Sequence, residues 1–263
     1  MRSSAPSHGL QQLAPSSPGP LYRQAKRELQ RVVESGRYGP GESLPSEGVI
    51  AQALGVSIGT LRKAVDELVH DHVLVRRQGK GTFVALHNDD RFLFQFFHVE
   101  PRDEFPLADD FQGREYPKVE CVGFLRTRAD ETEAGALRIK VGDPVVRIDN
   151  RLSLSGRAVV HDRLVIAAHT FKGLNEKRFL ERPSTIYNLY QTDHGITVLR
   201  ARERARATAA SRETARILGV AVGVPVLEVH RVALTFGDKP VEYRVSIINT
   251  ATHDYVSLLS KRS

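Results

Sequence analysis

The sequence of 263 residues has one cysteine, one methionine and no tryptophan. A single cysteine, Cys121, cannot form an intramolecular disulfide or complete a thiolate zinc site, which fits a reducing compartment. No run approaches the roughly 20 apolar residues that a membrane-spanning helix needs. We therefore predict a cytoplasmic protein that has no membrane partner.

Signatures of several enzyme classes are also missing from the sequence. The chain has ten histidines, yet no pair has the spacing of a zinc motif such as His-Glu-x-x-His. It has neither a phosphate-gripping glycine loop nor a serine elbow. We therefore predict no metal, no cofactor and no catalytic residue, and we do not expect an enzyme.

Positive charge is what the composition does provide. The chain has 38 lysines and arginines against 31 acidic residues, a formal charge of +7. A basic surface attracts phosphates, and the release of counterions drives binding to a polyanion. Charge alone does not establish a nucleic-acid partner, so the motifs have to decide.

Three helical patterns open the N-terminal part. The first runs from Leu21 and stops at Ser35, with apolar residues at helical spacing. The second is capped by Ser46 and ended by Gly55, and the third is capped by Ser57. Because the second and third helices are joined by so short a turn, they must cross at a steep angle, as in a helix-turn-helix.

A short hairpin follows the third helix. Two β-type runs, at residues 73–77 and 82–85, flank Gln78–Gly81, whose glycines permit the positive φ of a hairpin turn. Three helices and a hairpin in this order predict a winged helix-turn-helix over residues 20–85. Residues 1–19, rich in Ser, Pro and Gly, are predicted to be a disordered tail.

The C-terminal part contains an internal repeat with an offset of 81 residues. Val-Gly-Asp-Pro-Val at 141–145 recurs as Val-Gly-Val-Pro-Val at 222–226, and Gly156 recurs as Gly237. Each half is predicted to be a strand, a short helix, a turn and a β-hairpin. Two halves related by a pseudo-two-fold would form one antiparallel sheet with helices and a central crevice over residues 116–259, an α+β domain.

Residues 86–115 are treated as a linker, and residues 260–263 as a short tail. The linker contains an aromatic run at 92–97. Such a run also fits a strand that packs against one domain or a partner subunit, which is the commoner fate of exposed aromatics.

The predicted winged helix supplies two basic elements that can reach one duplex. The N-terminal part of the second helix of such a motif enters the major groove, while a basic wing lies in a minor groove or along phosphates. The alternative is a solvated basic face, but the two elements are only a few residues apart. The candidate DNA-binding residues are Ser46, Glu47, Ser57, Gly59, Thr60, Arg62, Lys63, Arg76, Arg77, Gln78, Gly79, Lys80 and Gly81.

Several stretches of the N-terminal part resemble the GntR family of bacterial transcription regulators, among them Leu44–Glu47, Leu54–Ser57 and Arg76–Val84. The C-terminal part resembles UTRA, the effector-sensing domain of the HutC subfamily, which is similar in fold to chorismate lyase. That likeness depends on the repeat and on stretches that include Ser184–Tyr187 and Pro240–Tyr243. The resemblance implies a homodimeric repressor that binds a pseudo-palindromic double-stranded DNA operator and a small-molecule effector.

The effector site is predicted from the repeat. His161 matches Glu242 and Arg163 matches Arg244, so a pseudo-two-fold would bring them to facing walls of a crevice suited to an anion. The arginines that alternate over residues 200–206 are equally explained as the wet face of a strand. The candidate effector-binding residues are Arg126, His161, Arg163, Ser184, Arg202, Glu203, Glu242 and Arg244.

Two departures from the family pattern concern the DNA-reading residues. Gly48 and Ile58 stand where many members have arginine, so we expect a different operator preference and more dependence on the wing. Two other functions remain open at this point. One is an enzyme acting on a small carboxylate in the C-terminal domain, for which no acid, base or nucleophile motif is visible; the other is non-specific architectural DNA binding.

Overall fold

The computed structural model describes residues 9–13, 19–86, 99–102 and 115–256. They belong to two compact units, one within residues 1–86 and the other within residues 87–263. The aromatic run at 92–97 and most of both predicted tails lie outside the described residues. No helix in the described ranges is long and apolar enough to cross a membrane.

The first unit is the predicted winged helix-turn-helix. Its helices are α1 (Leu21–Glu34), α2 (Glu47–Leu54) and α3 (Ile58–His70), and its wing is the antiparallel pair β1 (Leu74–Arg77) and β2 (Gly81–Val84). Each helix turns an apolar face inward, and the core of the unit is completed by residues from the wing. Its fully buried side chains are led by Leu29, Ile50, Leu54, Leu61, Leu68 and Leu74.

The helix ends of the first unit differ in how they are capped. Ser57 Oγ accepts a hydrogen bond from Thr60 N at 3.1 Å and so satisfies one of the free amides that open α3. Gly55 ends α2 with a left-handed φ of +71°, a conformation that glycine adopts without strain. The prediction that Ser46 caps α2 is wrong in its chemistry, because Ser46 occupies the N-cap position but its side chain accepts no capping hydrogen bond.

Residues 9–13, within the predicted disordered tail, lie against this unit. Leu13 N donates to Leu54 O at 3.1 Å, and Gln11 N donates to Glu28 Oε1 at 2.7 Å. These contacts attach the segment to α1 and to the end of α2.

The second unit is built from eight strands and four α-helices within the described ranges: β3 (Val99–Pro101), β4 (Lys118–Arg128), α4 (Glu131–Leu137), β5 (Pro144–Leu154), β6 (Arg157–Ala167), α5 (Glu176–Leu180), α6 (Ile186–His194), β7 (Arg200–Ala209), α7 (Arg212–Leu218), β8 (Pro225–Leu234), β9 (Pro240–Ile248) and β10 (His253–Tyr255). Six of the strands form an antiparallel sheet with the order β4-β5-β6-β9-β8-β7. A separate ribbon pairs β3 with β10.

The 81-residue repeat is confirmed as two halves, each made of three strands and one helix. The halves meet where β6 pairs with β9 in the middle of the sheet. One face of the sheet packs against α4 and α7, and the other packs against the segment that contains α5 and α6. Side chains therefore alternate between two cores along each strand.

Part of the predicted linker belongs to the second unit. Val99–Pro101 pair with His253–Tyr255, and Val99 is buried together with Leu152, Val160 and Ile248. The sequence did not predict this strand, because three residues are too few to show an alternating pattern. Their pairing partner also lies about 150 residues further along the chain.

Candidate functional site

The first unit exposes its basic residues at the start of α3 and on the wing. Arg62, Lys63, Arg76, Arg77 and Lys80 are all exposed. Thr60 and Glu47 are half-buried, and the remaining predicted DNA-binding residues are exposed. The structure therefore leaves these side chains accessible to a ligand.

Glu47 brings two of these arginines together. Arg62 Nε donates to Glu47 Oε2 at 2.8 Å, and Arg76 Nη2 donates to Glu47 Oε1 at 3.2 Å. Arg76 also pairs with Asp66 of α3. One carboxylate of α2 thus orients an arginine of α3 and an arginine of the wing, although a carboxylate itself repels phosphate.

Two further cations lie over aromatic rings. Lys63 Nζ is 4.0 Å from the centroid of Tyr22, and the guanidinium of Arg77 is 4.8 Å from the centroid of Phe83. Such contacts favour one placement of a flexible side chain without neutralising its charge. Sequence reasoning missed Tyr22 because its distance from Lys63 along the chain gives no hint of this contact.

The two positions that lack the family's arginines are open to solvent. Gly48 is exposed, and a Cβ atom added there would meet no atom within 4 Å. Ile58 is 48% exposed as the first residue of α3. Neither residue is required by packing, so the difference at these positions concerns the surface of the unit.

The second unit contains a cavity of about 420 Å³ between the sheet and the segment around α5 and α6. Its volume lies within the usual range of small-molecule sites, roughly 300–1,000 Å³. It is lined by Tyr116, Pro117, Val119, Asn150, Leu152, Asp162, Leu164, Leu180, Arg182, Ser184, Thr185, Ile186, Tyr187, Arg231 and Arg244.

Two of the three cavity arginines are held by carboxylates. Arg244 Nη1 donates to Asp162 Oδ2 at 3.1 Å, and its Nε donates to Glu242 Oε1 at 2.9 Å. Arg231 forms an ion pair with Glu203. Because the side chains of Arg231 and Arg244 are only 7% and 13% exposed, the pairs fix the positions of the two guanidinium groups along one wall.

Glu242 supports that wall from behind. Its side chain is fully buried and accepts hydrogen bonds from Tyr187 at 3.1 Å and Tyr190 at 2.8 Å, besides those from Arg244. Burial, together with the neighbouring carboxylate, raises the pKa of both tyrosines. The phenols therefore stay protonated and serve as donors to Glu242.

Arg182 is the third arginine of the cavity. Its Nη1 donates to Phe179 O at 2.6 Å, and its guanidinium lies 4.2 Å from the centroid of the Phe179 ring. Burial lowers the pKa of Arg182. No carboxylate in the described ranges forms an ion pair with it.

Of the predicted effector-binding residues, Ser184 and Arg244 line the cavity, and Glu242 lies directly behind Arg244. Arg202 and Glu203 line a separate groove of about 710 Å³. Glu203 also holds Arg231, so it supports the cavity wall. Arg126 donates to Leu174 O instead of entering the cavity.

The predicted meeting of His161 and Arg163 with Glu242 and Arg244 does not occur. His161 and Arg163 both contact Asp149, at 3.2 and 2.9 Å, on the sheet face that packs against α7. They are joined there by Glu213 and Thr214 of α7. This network lies on the opposite face of the sheet from the cavity.

The reason is a one-residue difference between the two hairpins of the repeat. Leu152 pairs with Val160, but Ala233, 81 residues after Leu152, pairs with Glu242 and not with Val241. A shift of one residue moves every side chain of a strand to the other face of the sheet. The repeat offset therefore holds for β5 and β8 but fails for β6 and β9.

Sequence reasoning also missed seven polar residues of the cavity: Tyr116, Asn150, Asp162, Arg182, Thr185, Tyr187 and Arg231. Asp162 lies between His161 and Arg163, the two residues of β6 that were predicted to bind the effector. Only the pairing register of the strands could have shown that Asp162, and not its neighbours, faces the cavity. Arg182 lies in the connection between α5 and α6, where no periodic pattern indicates which side chains turn inward.

Comparison with known proteins agrees with this architecture. Residues 21–84 match the model of "Bacterial regulatory proteins, gntR family", and residues 112–254 match the UTRA domain. The transcriptional repressor NagR of Bacillus subtilis is 27% identical over 255 residues, which cover 94% of this chain and 98% of NagR. The histidine utilization repressor of Klebsiella aerogenes is 30% identical over 158 residues, 58% of this chain and 61% of that protein.

Solved structures give the same result. The ligand-binding domain of a GntR-family transcriptional regulator from Bordetella bronchiseptica shares 31% identity at a TM-score of 0.57, covering 63% of this chain and 98% of that one. PhnF from Mycobacterium smegmatis, at 21% identity and a TM-score of 0.52 over 90% of this chain and all of its own, has a similar fold. The chain belongs to the GntR family of transcriptional regulators, with a UTRA domain at its C-terminal end.

Proposed function

We propose that this protein is a homodimeric repressor that binds a pseudo-palindromic DNA operator, and that a small anionic metabolite bound in the UTRA cavity controls this binding. The DNA-binding part is assigned to α3 and the wing, one winged helix per half-site. The observation that carries the proposal is the presence, in one chain, of exposed arginines on a winged helix and of an arginine-lined cavity in the UTRA domain.

The proposed DNA contacts follow from the arrangement around Glu47. Arg62 is presented for base or phosphate contact at the start of α3, and Arg76, Arg77 and Lys80 are presented on the wing. Gly59 is assigned a main-chain amide contact with phosphate at the start of α3, and Ser57 and Thr60 are assigned hydroxyl contacts, because the Thr60 amide is already bonded to Ser57 Oγ. Glu47 is assigned a positioning role and is removed from the set of direct contacts.

The effector is assigned to the cavity because three arginines line it, and one of them, Arg182, forms no ion pair within the described ranges and so favours an anionic ligand. The dimer is proposed to have two arrangements, and only one of them fits the operator. Release of DNA requires that the effector bind the other arrangement more tightly, because a ligand with equal affinity for both does not change their populations. The location is the cytoplasm, where a transcription regulator meets both DNA and metabolites.

A mobility-shift assay on the DNA that flanks the protein's own gene tests the proposal. We expect a specific shift that is lost in Arg62→Ala and altered by at least one compound from a panel of amino acids, organic acids and sugar phosphates. Equal affinity for all DNA sequences, with a steep salt dependence, would support the architectural alternative instead. No specific shift under any condition would refute the proposal.

The enzyme hypothesis is not retained. The family and the relatives reported above are transcriptional regulators.

A further inference from the structure

Three polar atoms around the UTRA cavity are buried without a hydrogen-bond partner among the described residues. They are Asn150 Oδ1, Asp162 Oδ1 and Arg182 Nε, and all three residues line the cavity. Asn150 and Asp162 are only 4% and 3% exposed. Buried polar groups in native proteins are nearly always satisfied, so these atoms indicate what the occupant of the cavity provides.

Two of the three atoms are acceptors on residues that are neighbours across two strands. Asn150 and Asp162 are directly paired on β5 and β6, and their side chains point to the same face, where paired residues have Cβ atoms about 4.5–5.5 Å apart. Asp162 Oδ2 is already occupied by Arg244. Asp162 Oδ1 and Asn150 Oδ1 therefore call for an N–H or O–H group on the ligand.

The charge at this acceptor end is negative overall. Arg244 is the single cation in contact with two carboxylates, those of Asp162 and Glu242. The other paired arginine, Arg231, is balanced by Glu203. An ammonium group placed against Asp162 would complete this balance, whereas a hydroxyl would satisfy the hydrogen bonds but not the charge.

The third atom, Arg182 Nε, belongs to a positively charged guanidinium group. Arg182 uses one nitrogen for a main-chain carbonyl and forms no ion pair within the described ranges. Its pKa is lowered by burial, as is expected of a guanidinium that is desolvated without an anion beside it. A carboxylate or phosphate of the ligand would supply that anion, and Nε is one of the donors of the guanidinium fork.

We propose that the cavity binds a zwitterionic metabolite, with its anionic group at Arg182 and its ammonium group at Asp162 and Asn150. This inference rests on the assignment of the cavity as the effector site and specifies the chemistry of the effector. A hydroxyl in place of the ammonium gives weaker binding, and an anion without a donor binds weakest among the anionic compounds.

Matched sets of compounds test this selectivity in the full chain. A carboxylate set on several carbon skeletons compares the amino acid with its hydroxy acid, its deaminated acid and its decarboxylated amine. A phosphate set compares phosphoethanolamine with glycerol phosphate, ethyl phosphate and ethanolamine, and so distinguishes the two sources of the anion. Thermal shift identifies binding, since a ligand of the folded state raises Tm by mass action, and calorimetry then gives Kd.

The expected result is that the amino compound binds at least about tenfold more tightly than its hydroxy counterpart, and the deaminated acid more weakly still, as one charge-assisted contact is worth about a factor of ten or more. Equal Kd values for the amino and deaminated compounds would overturn the proposal. So would the absence of binding by every zwitterion in both sets.

Variants assign the two ends of the ligand. Asp162→Asn keeps the shape but removes the charge, and we expect it to abolish the preference for ammonium over hydroxyl. Arg182→Gln weakens every anionic compound alike. Arg206→Gln, an exposed arginine that pairs with Glu228, is the matched control and leaves all Kd values unchanged.

If Asp162→Asn does not fold because Arg244 loses its partner, Asn150→Asp provides the reverse test. An added carboxylate at this position strengthens binding of ammonium compounds and weakens binding of the deaminated acids; unchanged Kd values would contradict the placement of the ammonium.

The mobility-shift assay separates this inference from the proposed function. If a specific operator is released by a compound that has no ammonium, the repressor function stands and the zwitterion inference fails. If a zwitterion binds with the stated selectivity but the chain recognises no operator, the inference about the cavity stands and the repressor function fails.

Discussion

Arg62 at the start of α3 donates from Nε to Glu47 Oε2, 2.8 Å away on α2. The same carboxylate holds Arg76 of β1. The carboxylate of Glu47 thereby connects α3 to the wing. Glu47 is an acidic residue in a surface proposed to bind DNA, and its position is explained if it orients these two arginines. An experiment can distinguish this positioning role from a simple repulsion between Glu47 and the DNA phosphates.

Replacing Glu47 with alanine is expected to weaken operator binding. Without Glu47, Arg62 and Arg76 would lose conformational freedom when they bind DNA, and this ordering costs about 0.5–1.5 kcal/mol of binding free energy per side chain. Glu34→Ala, an exposed acid at the end of α1, removes the same charge and is expected to strengthen binding slightly. Fluorescence anisotropy measures both, and an increase in affinity for Glu47→Ala as well would show that Glu47 only repels DNA.

The wing is expected to contribute through phosphate contact at Lys80. Lys80→Ala should reduce the slope of log K against log salt by about 0.9, the value for one phosphate contact. Lys172→Ala removes an exposed lysine from the second unit and should leave the slope unchanged. Titrations at several salt concentrations measure both slopes, and identical slopes for the two variants would remove Lys80 from the interface.

Ile58 is expected to help determine the operator sequence. Ile58→Arg should introduce a preference for guanine, because arginine donates two hydrogen bonds to the O6 and N7 atoms of that base. Leu21→Arg adds the same charge at another exposed apolar position and should raise affinity without changing the preferred sequence. Selection from random DNA distinguishes them, and an unchanged motif for Ile58→Arg would mean that this residue does not face the bases.

The two serines at helix starts provide a matched pair for stability. Ser57→Ala removes the acceptor for Thr60 N and should lower the free energy of opening of the α3 amides by about 1 kcal/mol. Ser46→Ala removes no capping hydrogen bond and should change the stability of α2 by less than about 0.5 kcal/mol. Native-state hydrogen exchange of the full chain measures both, and equal effects would contradict the capping difference.

The stability of the second unit is expected to fall as the pH drops below about 6.5. Burial lowers the pKa of His194, whose ring packs edge-on against Phe171 with centroids 5.2 Å apart. The unfolded state therefore binds more protons than the folded state between the folded pKa and the ordinary value of about 6.5, so stability rises with pH across that interval.

His194→Gln removes this titration and should reduce the dependence of Tm on pH between about 5 and 7, the window set by the ordinary histidine pKa; the remaining dependence is expected from His253, whose pKa burial also lowers. His169, for comparison, is exposed, and His169→Gln should leave the pH profile as it is. Calorimetric scans across the interval test both variants. The explanation fails if the profile of His194→Gln equals that of the unaltered protein.

The fold of both units could be predicted because its signals are local. Gly55 and Ser57 mark the helix-turn-helix turn, and the glycines at 79 and 81 mark the tip of the wing with φ angles of +69° and +107°. The repeated Val-Gly-x-Pro-Val turn identified the two halves of the sheet. Each of these features depends on the conformational preference of residues that are neighbours in the chain.

The residues of the candidate DNA interface could also be chosen from the sequence. The start of a helix and the tip of a hairpin are exposed to solvent regardless of how the rest of the chain packs. What the sequence did not show is how they are held. The ion pairs of Glu47 with Arg62 and Arg76 join residues 15 and 29 positions apart, and only the packing of α2 against α3 and the wing brings them together.

The effector cavity shows where sequence information ends. The sequence determined that the C-terminal part contains two similar halves, since the turn residues and the alternation of apolar residues repeat, and the structure shows these halves between Lys118 and Ile248. The tertiary structure decided which side chains meet: Ala233 pairs with Glu242, and this one-residue shift places Asp162, not Arg163, on the face of Arg244. Strand register is settled by contacts across the sheet, and a period of two residues turns any error of one residue into the opposite face.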